Sequence, residues 1–357
     1  SVKVATYVRH PEEDLERANH RARVSFVGTR HRHTQVTAEE VAKLLHCGLE
    51  TVQRTLKPTT QHGIRHALHP LQRRYRVDHL MLNRRRLNDT FYTDTLFSKV
   101  KSMNGNTCAQ VYSNGSFTKV FPMSDKTGAR VGQTLTDFAD DVGIPDTLVM
   151  DLAPEQAGKH TEMQTEARRL RVRIRFTEKG RSEQNHTAEG EIGQLKRRWK
   201  HRMTTKNVPR CLWDYGLVHE AEVLSILARG KDQVPGLEKV LGQTIDISEY
   251  LDFGIWDLVW YWDQSKTSDM SDEQKKLGRW LGIAHRVGSE MTYWILTEHC
   301  KVIARSTVQH VLFADLQQET VKAKAARFEQ LIDENLRGRE TIVNVPNVFY
   351  LNDEDTP

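Results

Sequence analysis

Three stretches decide how this chain is read: FYTDTLF at 91–97, TLVMDLAPEQ at 147–156, and SEQNHTAEGEIGQLKRRWK at 182–200. The first alternates β-branched and aromatic residues around Asp94, as a strand does. The second is a short apolar run that ends at Asp151. The third has helical spacing and carries Glu189. At 100° per residue, Ala188, Ile192, Leu195 and Trp199 form one stripe, and Glu189, Gly193, Lys196 and Lys200 form the next. The third acid therefore has lysines one and two turns away. Glu191, on the opposite flank near Arg198, and Glu183, in the preceding loop, are weaker candidates for that role. Oxygen-only donors suit Mg²⁺ or Mn²⁺. Two such ions about 4 Å apart clamp the entering and leaving oxygens of a phosphoryl transfer. Asp94, Asp151 and Glu189 are thus the candidate catalytic and metal-binding residues.

Working outward, TCAQVYS and FTKVFPM read as two more strands joined by Asn114-Gly115, a hairpin signal. ARVGQTLTDFADDVG has helical periodicity through Val131, Leu135 and Phe138, and Ile144-Pro145 ends it before the strand TLVMD. TEMQTEARRL reads as a second helix and VRIRF as a fifth strand. Three strands, helix, strand, helix, strand, helix is the order of a ribonuclease-H-like α/β domain, a mixed five-stranded sheet with flanking helices.

The chain has 357 residues and a formal net charge of +5, enough length for two or three domains. The charge is uneven: 1–90 and 165–206 each carry an excess of about eight basic side chains, the footprint of a polyanion partner. In TAEEVAKLLHCGLETVQRTL, Thr37 and Glu40 form a capping box, and Val41, Leu44 and Leu45 an apolar stripe. His46-Cys47-Gly48 makes a turn before a second short helix. This pair resembles a helix-turn-helix, with Thr51, Gln53 and Arg54 on its exposed face toward DNA. The basic connector that follows has two readings: Arg73, Arg74, Arg84, Arg85 and Arg86 track phosphates, or the stretch is a solvated linker.

Five of the seven Trp fall within 250–313, in short alternating runs that suggest a small β-barrel. A charged helix from Asp315 to about Arg337 follows, with Val321, Ala325, Phe328 and Ile332 on one side, and then an extended tail. The four cysteines are scattered, so neither disulfides nor a structural zinc site is expected. No stretch approaches the length of a membrane span, and none is expected. The start at Ser-Val-Lys fits a fragment, a processed product or a slice of a polyprotein.

The stretch from Asp94 through Glu189 resembles the catalytic core of a retroviral-type integrase. SEQNHTAE-x-x-I-x-x-L is similar to the P-x-Q-N-G-x-A-E motif of copia-like retrotransposon integrases. KLGRWLGIAHRV, YWIL and KVIARSTVQHV resemble the SH3-like barrel that follows that core. The resemblance implies this division: 1–90, a basic N-terminal region holding the helix-turn-helix-like 37–57; 91–205, the catalytic core; 206–249, a helical extension or linker; 250–313, the barrel; 314–357, a charged helix and tail. It implies Mg²⁺- or Mn²⁺-dependent 3′-end processing and strand transfer of element cDNA, with two ions held by Asp94, Asp151 and Glu189. Donor DNA contacts would come from Gln184, Asn185, Lys196 and Lys200. A homo-oligomer acting on cDNA ends and target DNA, in the nucleus and in cytoplasmic virus-like particles, is implied as well.

The chain departs from the family in three places. Leu152-Ala153 follow Asp151 where Asn-Gly is usual, Ser182 and His186 replace the motif's Pro and Gly, and the His₂Cys₂ zinc module is absent. Two other readings remain: a cut-and-paste transposase with the same carboxylates, and a catalytically inactive DNA-binding or assembly protein.

Overall fold

Strand β1 (Arg86–Phe97) is the centre of the first sheet. The computed structural model describes residues 36–63, 84–150, 161–177, 186–230, 232–263, 275–287 and 291–343. A helical pair, α1 (Ala38–Leu45) and α2 (Leu49–Leu56), precedes β1. The Thr37 hydroxyl accepts from the Glu40 amide and the Glu40 carboxylate accepts from the Thr37 amide, so the expected capping box forms.

On one side of β1 lie β2 (Cys108–Ser113) and β3 (Thr118–Met123), both antiparallel. The turn between them uses Gly115 at φ +87°, a left-handed conformation that glycine adopts without strain. On the other side lie β4 (Ile144–Met150) and β5 (Arg173–Phe176), both parallel. Parallel neighbours need crossovers. These are α3 (Gly128–Asp141), which brings the chain from β3 to β4, and α4 (Glu162–Arg169), which brings it from β4 to β5. The strand order β3-β2-β1-β4-β5 with flanking helices is the ribonuclease-H-like arrangement. Pro145 sits inside β4 rather than before it, and its N–H-less nitrogen falls near the start of the strand.

The two faces of the sheet are covered differently. Phe91 and Tyr112 pack on Phe138 of α3 at ring centroid distances of 5.0 and 4.8 Å. The opposite face is covered by α5 (His186–Lys206) and α6 (Trp213–Ile226). Ile192, Leu195 and Trp199 of α5 are buried, as the wheel requires.

Within the stretch read as a helical extension or linker, α6 packs into the core: twelve of its residues are buried, including Asp214, His219, Glu220 and Glu222. A Cβ on Gly216 would lie 2.1 Å from ring atoms of Trp199. Gly216→Ala should therefore cost about 1–3 kcal/mol through overpacking, despite alanine's propensity advantage of about 1 kcal/mol in a helix. The urea unfolding midpoint measures it, and an unchanged or raised midpoint would contradict the close packing of α5 on α6.

After the short α7 (Gly236–Leu241) comes a second sheet of β6 (Leu258–Trp262), β7 (Lys275–Ile283), β8 (Tyr293–Thr297), β9 (Val302–Arg305) and β10 (Val308–His310). It is antiparallel, in the order β10-β6-β7-β8-β9. Trp280 of β7 is fully buried and meets the His219 ring of α6 edge-on at 5.0 Å, so α6 joins the two sheets. Two helices, α8 (Phe313–Gln317) and α9 (Glu319–Asn335), close the described chain. Phe328 and Ile332 of α9 are buried. Beyond it, Ile342 bridges antiparallel to Val100, just past the end of β1.

Candidate active site

Asp94 lies on β1 opposite Val111 of β2, half-buried. Its face follows from register. Tyr92 pairs with Ser113, and Ser113 with Thr118, so these three side chains point to one side of the sheet. That side is the α5 side, because the Thr118 hydroxyl donates to Glu191 Oε2 at 3.1 Å. Side chains alternate along a strand, so Asp94, two residues after Tyr92, shares this face. Its Oδ1 accepts the Thr95 amide at 2.7 Å.

The parallel pairing of β1 with β4 ends with Thr93 opposite Met150. Asp151 lies outside the described residues, as do Gln184 and Asn185 of the polar loop before α5. Glu189 is in the first turn of α5 and is exposed. The start of that helix abuts the β2–β3 turn, where a Cβ on Gly115 would meet Thr187 at 3.3 Å. Lys196 is half-buried and Lys200 exposed, farther along the same helix.

Glu191 is spent on structure. It is buried and paired with Arg229 at 3.0 Å, and its oxygens also take the Thr118 hydroxyl. Arg229 lies in the segment after α6, a partner with no local signal near α5.

Among the described residues, no three His, Cys, Asp or Glu side chains converge as a metal cluster. The donor set still fits a hard divalent cation. Asp94 and Glu189 offer only oxygen, and Glu189 is open to solvent. Mg²⁺ keeps several waters and takes one or two carboxylates, the donor type that Asp94 and Glu189 each offer.

On α2, Val52 and Thr55 are buried, and the Thr55 hydroxyl oxygen accepts the Ala228 amide at 2.9 Å. Gln53 is exposed, Thr51 half-buried, and Arg54 lies 3.9 Å from Glu50 on the same helix. Gln53, Arg54 and Lys57 line an open depression of about 610 Å³. His46 caps α1 in a left-handed conformation. Burial and the Arg202 guanidinium lower its pKa to about 4, so the cap is neutral at pH 7.

The basic connector is a correction to the sequence reading. Arg84 pairs with Asp140, Arg85 donates to the Leu241 carbonyl, and Arg86 donates to the carbonyls of Leu170 and Arg171. All three brace the sheet against its neighbours. Arg73 and Arg74 lie outside the described residues.

No protein-family profile matches the chain, and no curated relative matches it. Among solved structures, the chain is similar to one from a simian T-cell lymphotropic virus intasome in complex with PP2A regulatory subunit B56 gamma. That match is 16% identical, spans 77% of this chain and 99% of the other, and has a TM-score of 0.38. It is also similar to the HTLV-2 integrase catalytic core in complex with magnesium (14% identity, 39% of this chain, 86% of that one, TM-score 0.30). A third is the BIV integrase catalytic core (11% identity, 44% and 95%, TM-score 0.33). At these identities and scores, function is argued from this chain's own residues.

Proposed function

We propose that this protein is an integrase of a retroelement polyprotein, a divalent-metal-dependent enzyme that processes and transfers the 3′ ends of element cDNA. The observation that carries this reading is the placement of Asp94. It sits on the central strand, on the face that α5 covers, one residue past Thr93, which pairs with Met150. Asp151 is bonded to Met150. Glu189, on the helix over the same face, supplies the third carboxylate.

In this reading Asp94, Asp151 and Glu189 hold one or two hard cations, whose chemistry there is activation of the attacking oxygen and stabilisation of the leaving one. The residues do the rest by position and charge. Lys196 and Lys200, on the Glu189 stripe, bind donor phosphates, joined by Gln184 and Asn185 of the preceding loop. The pair α1–α2 acts as a helix-turn-helix that reads the cDNA end through Thr51, Gln53 and Arg54. The second sheet serves as an SH3-like barrel. Joining two ends requires a homo-oligomer.

A labelled duplex with a recessed 3′-OH, incubated with plasmid in Mg²⁺ or Mn²⁺, tests the reading. Metal-dependent joined product is expected. DNA binding without product in either metal, over several end sequences, would favour an assembly protein without turnover, a reading supported by Leu152-Ala153 after Asp151.

Lys196→Glu should weaken duplex binding and lower the slope of log affinity against log salt by roughly one for each phosphate that the variant no longer neutralises. A slope equal to that of the wild type would take Lys196 off the DNA face.

A further inference from the structure

A cleft of about 370 Å³ opens between the two sheets, away from Asp94 and Glu189. Its floor is one stripe of α6, with Asp214, Val218 and Glu222 at four-residue spacing and His219 beside them. Asn104 and Asn106 form one wall, and Ile283 and Trp294 part of the other. The size lies in the range of small-ligand pockets, ~300–1,000 Å³.

Two carboxylates stand at this floor, both buried: Asp214 is 2% exposed and Glu222 7%. Asp214 Oδ2 accepts from Asn104 and Asn106 at 3.0 and 2.9 Å, which fixes its plane. Glu222 Oε1 lies 2.8 Å from His285 Nε2. Neither carboxylate meets a lysine or arginine in an ion pair among those described.

The second observation is His219. It is 2% exposed and lines the cleft, and its Nδ1 has no hydrogen-bond partner. Burial, with Arg202 next, drives its pKa well below 6.5, so the ring is neutral and keeps one unspent hydrogen-bonding nitrogen. Buried polar atoms are rarely left unpaired. Tyr215 and Trp294, both half-buried at the cleft, add aromatic surface.

We infer that this cleft is a docking pocket for an arginine side chain of a partner protein. A guanidinium is planar, so it stacks on an aromatic ring while its N–H fork meets a carboxylate. It also brings several donors, enough for Asp214 and the spare histidine nitrogen, while Glu222, about 12 Å farther along α6, adds negative potential at the cleft. A phosphate-bearing ligand is disfavoured by the same two acids. The inference does not depend on the strand-transfer reading, because none of these residues belongs to the carboxylate site.

The test is fluorescence anisotropy of a labelled Gly-Ala-Arg-Ala-Gly peptide with the full chain, against the same peptide carrying citrulline, which keeps the shape and loses the charge. The arginine peptide is expected to bind at least tenfold more tightly. Asp214→Asn should weaken it about tenfold, and Val218→Trp, which fills the cleft, should abolish binding. If Asp214→Asn fails to fold because Asn104 and Asn106 lose their acceptor, Glu222→Gln takes its place. Equal affinity for arginine and citrulline, or no loss in a folded carboxylate variant, would overturn the inference. So would competitive displacement of the peptide by duplex DNA.

Discussion

Asp94→Asn is expected to remove strand transfer while leaving the fold and DNA binding in place. Asparagine is nearly isosteric, and its Oδ1 can still accept the Thr95 amide. The side chain is half-buried, so stability should change by no more than about 1 kcal/mol. The lost quantity is negative charge at the point where the proposed site would hold a hard cation. Loss of outer-shell partners alone costs ~10–100-fold in metal affinity or activity. Loss of a direct carboxylate ligand should exceed ~100-fold. DNA affinity should hold or rise slightly, because a like charge to phosphate is gone. The measurements are joined product in Mg²⁺ and Mn²⁺, duplex affinity, and a urea midpoint as the folding control. A folded Asp94→Asn protein that still joins ends would remove the strand-transfer reading at its root. Glu189→Gln should behave alike, and its exposure makes a folding defect there harder to invoke.

What was legible in the sequence is local. The capping box at Thr37 and Glu40, the turn at Gly115 and the Ile192, Leu195, Trp199 stripe each depend on residues within a few positions, and each was readable from spacing. The order of strands and helices was readable for the same reason, and that order places Asp94 on the central strand.

What was not legible depends on partners far along the chain. Helix α6, in the stretch read as a helical extension or linker, carries Asp214, His219, Glu220 and Glu222. They are buried because Asn104, Asn106, Arg198, Arg202 and His285 come to meet them from other elements. The arginines at 84–86 misled for the converse reason. A basic run looks like a surface for phosphate, but the acceptors that use it, Asp140 and the carbonyls of Leu170, Arg171 and Leu241, lie 56 to 156 positions away. At the candidate site the same limit holds. Which acid of Glu189 and Glu191 is structural turns on Arg229, which no wheel of α5 contains.

The largest effect on stability is expected at Glu220. This carboxylate is fully buried and sits between two arginines of α5: Arg198, at 2.9 Å, and Arg202, whose side chain is 1% exposed. Both guanidiniums also donate to carbonyls at the end of α1, Arg202 to Leu44 and Arg198 to Leu45 and His46. These carbonyls are the groups a helix C-terminus leaves unpaired, and cations there also oppose the helix dipole. Glu220→Gln keeps the shape and deletes the charge, which leaves buried positive charge uncompensated. Breaking a buried pair from one side costs about 3–5 kcal/mol, a Tm drop on the order of 5–10 °C. Replacing the pair together, as Arg202→Met with Glu220→Leu, should cost less than Glu220→Gln alone, because only Arg198, 15% exposed, is then left without its carboxylate. Urea unfolding of the three proteins decides it. If the double replacement proved the more damaging, the cluster's value would lie in its bonds to the α1 carbonyls rather than in charge balance. In either case α1 is fastened to the helix that carries Glu189. A variant that loosens this clamp should therefore weaken cDNA-end binding along with stability, if the helical pair reads the end as proposed.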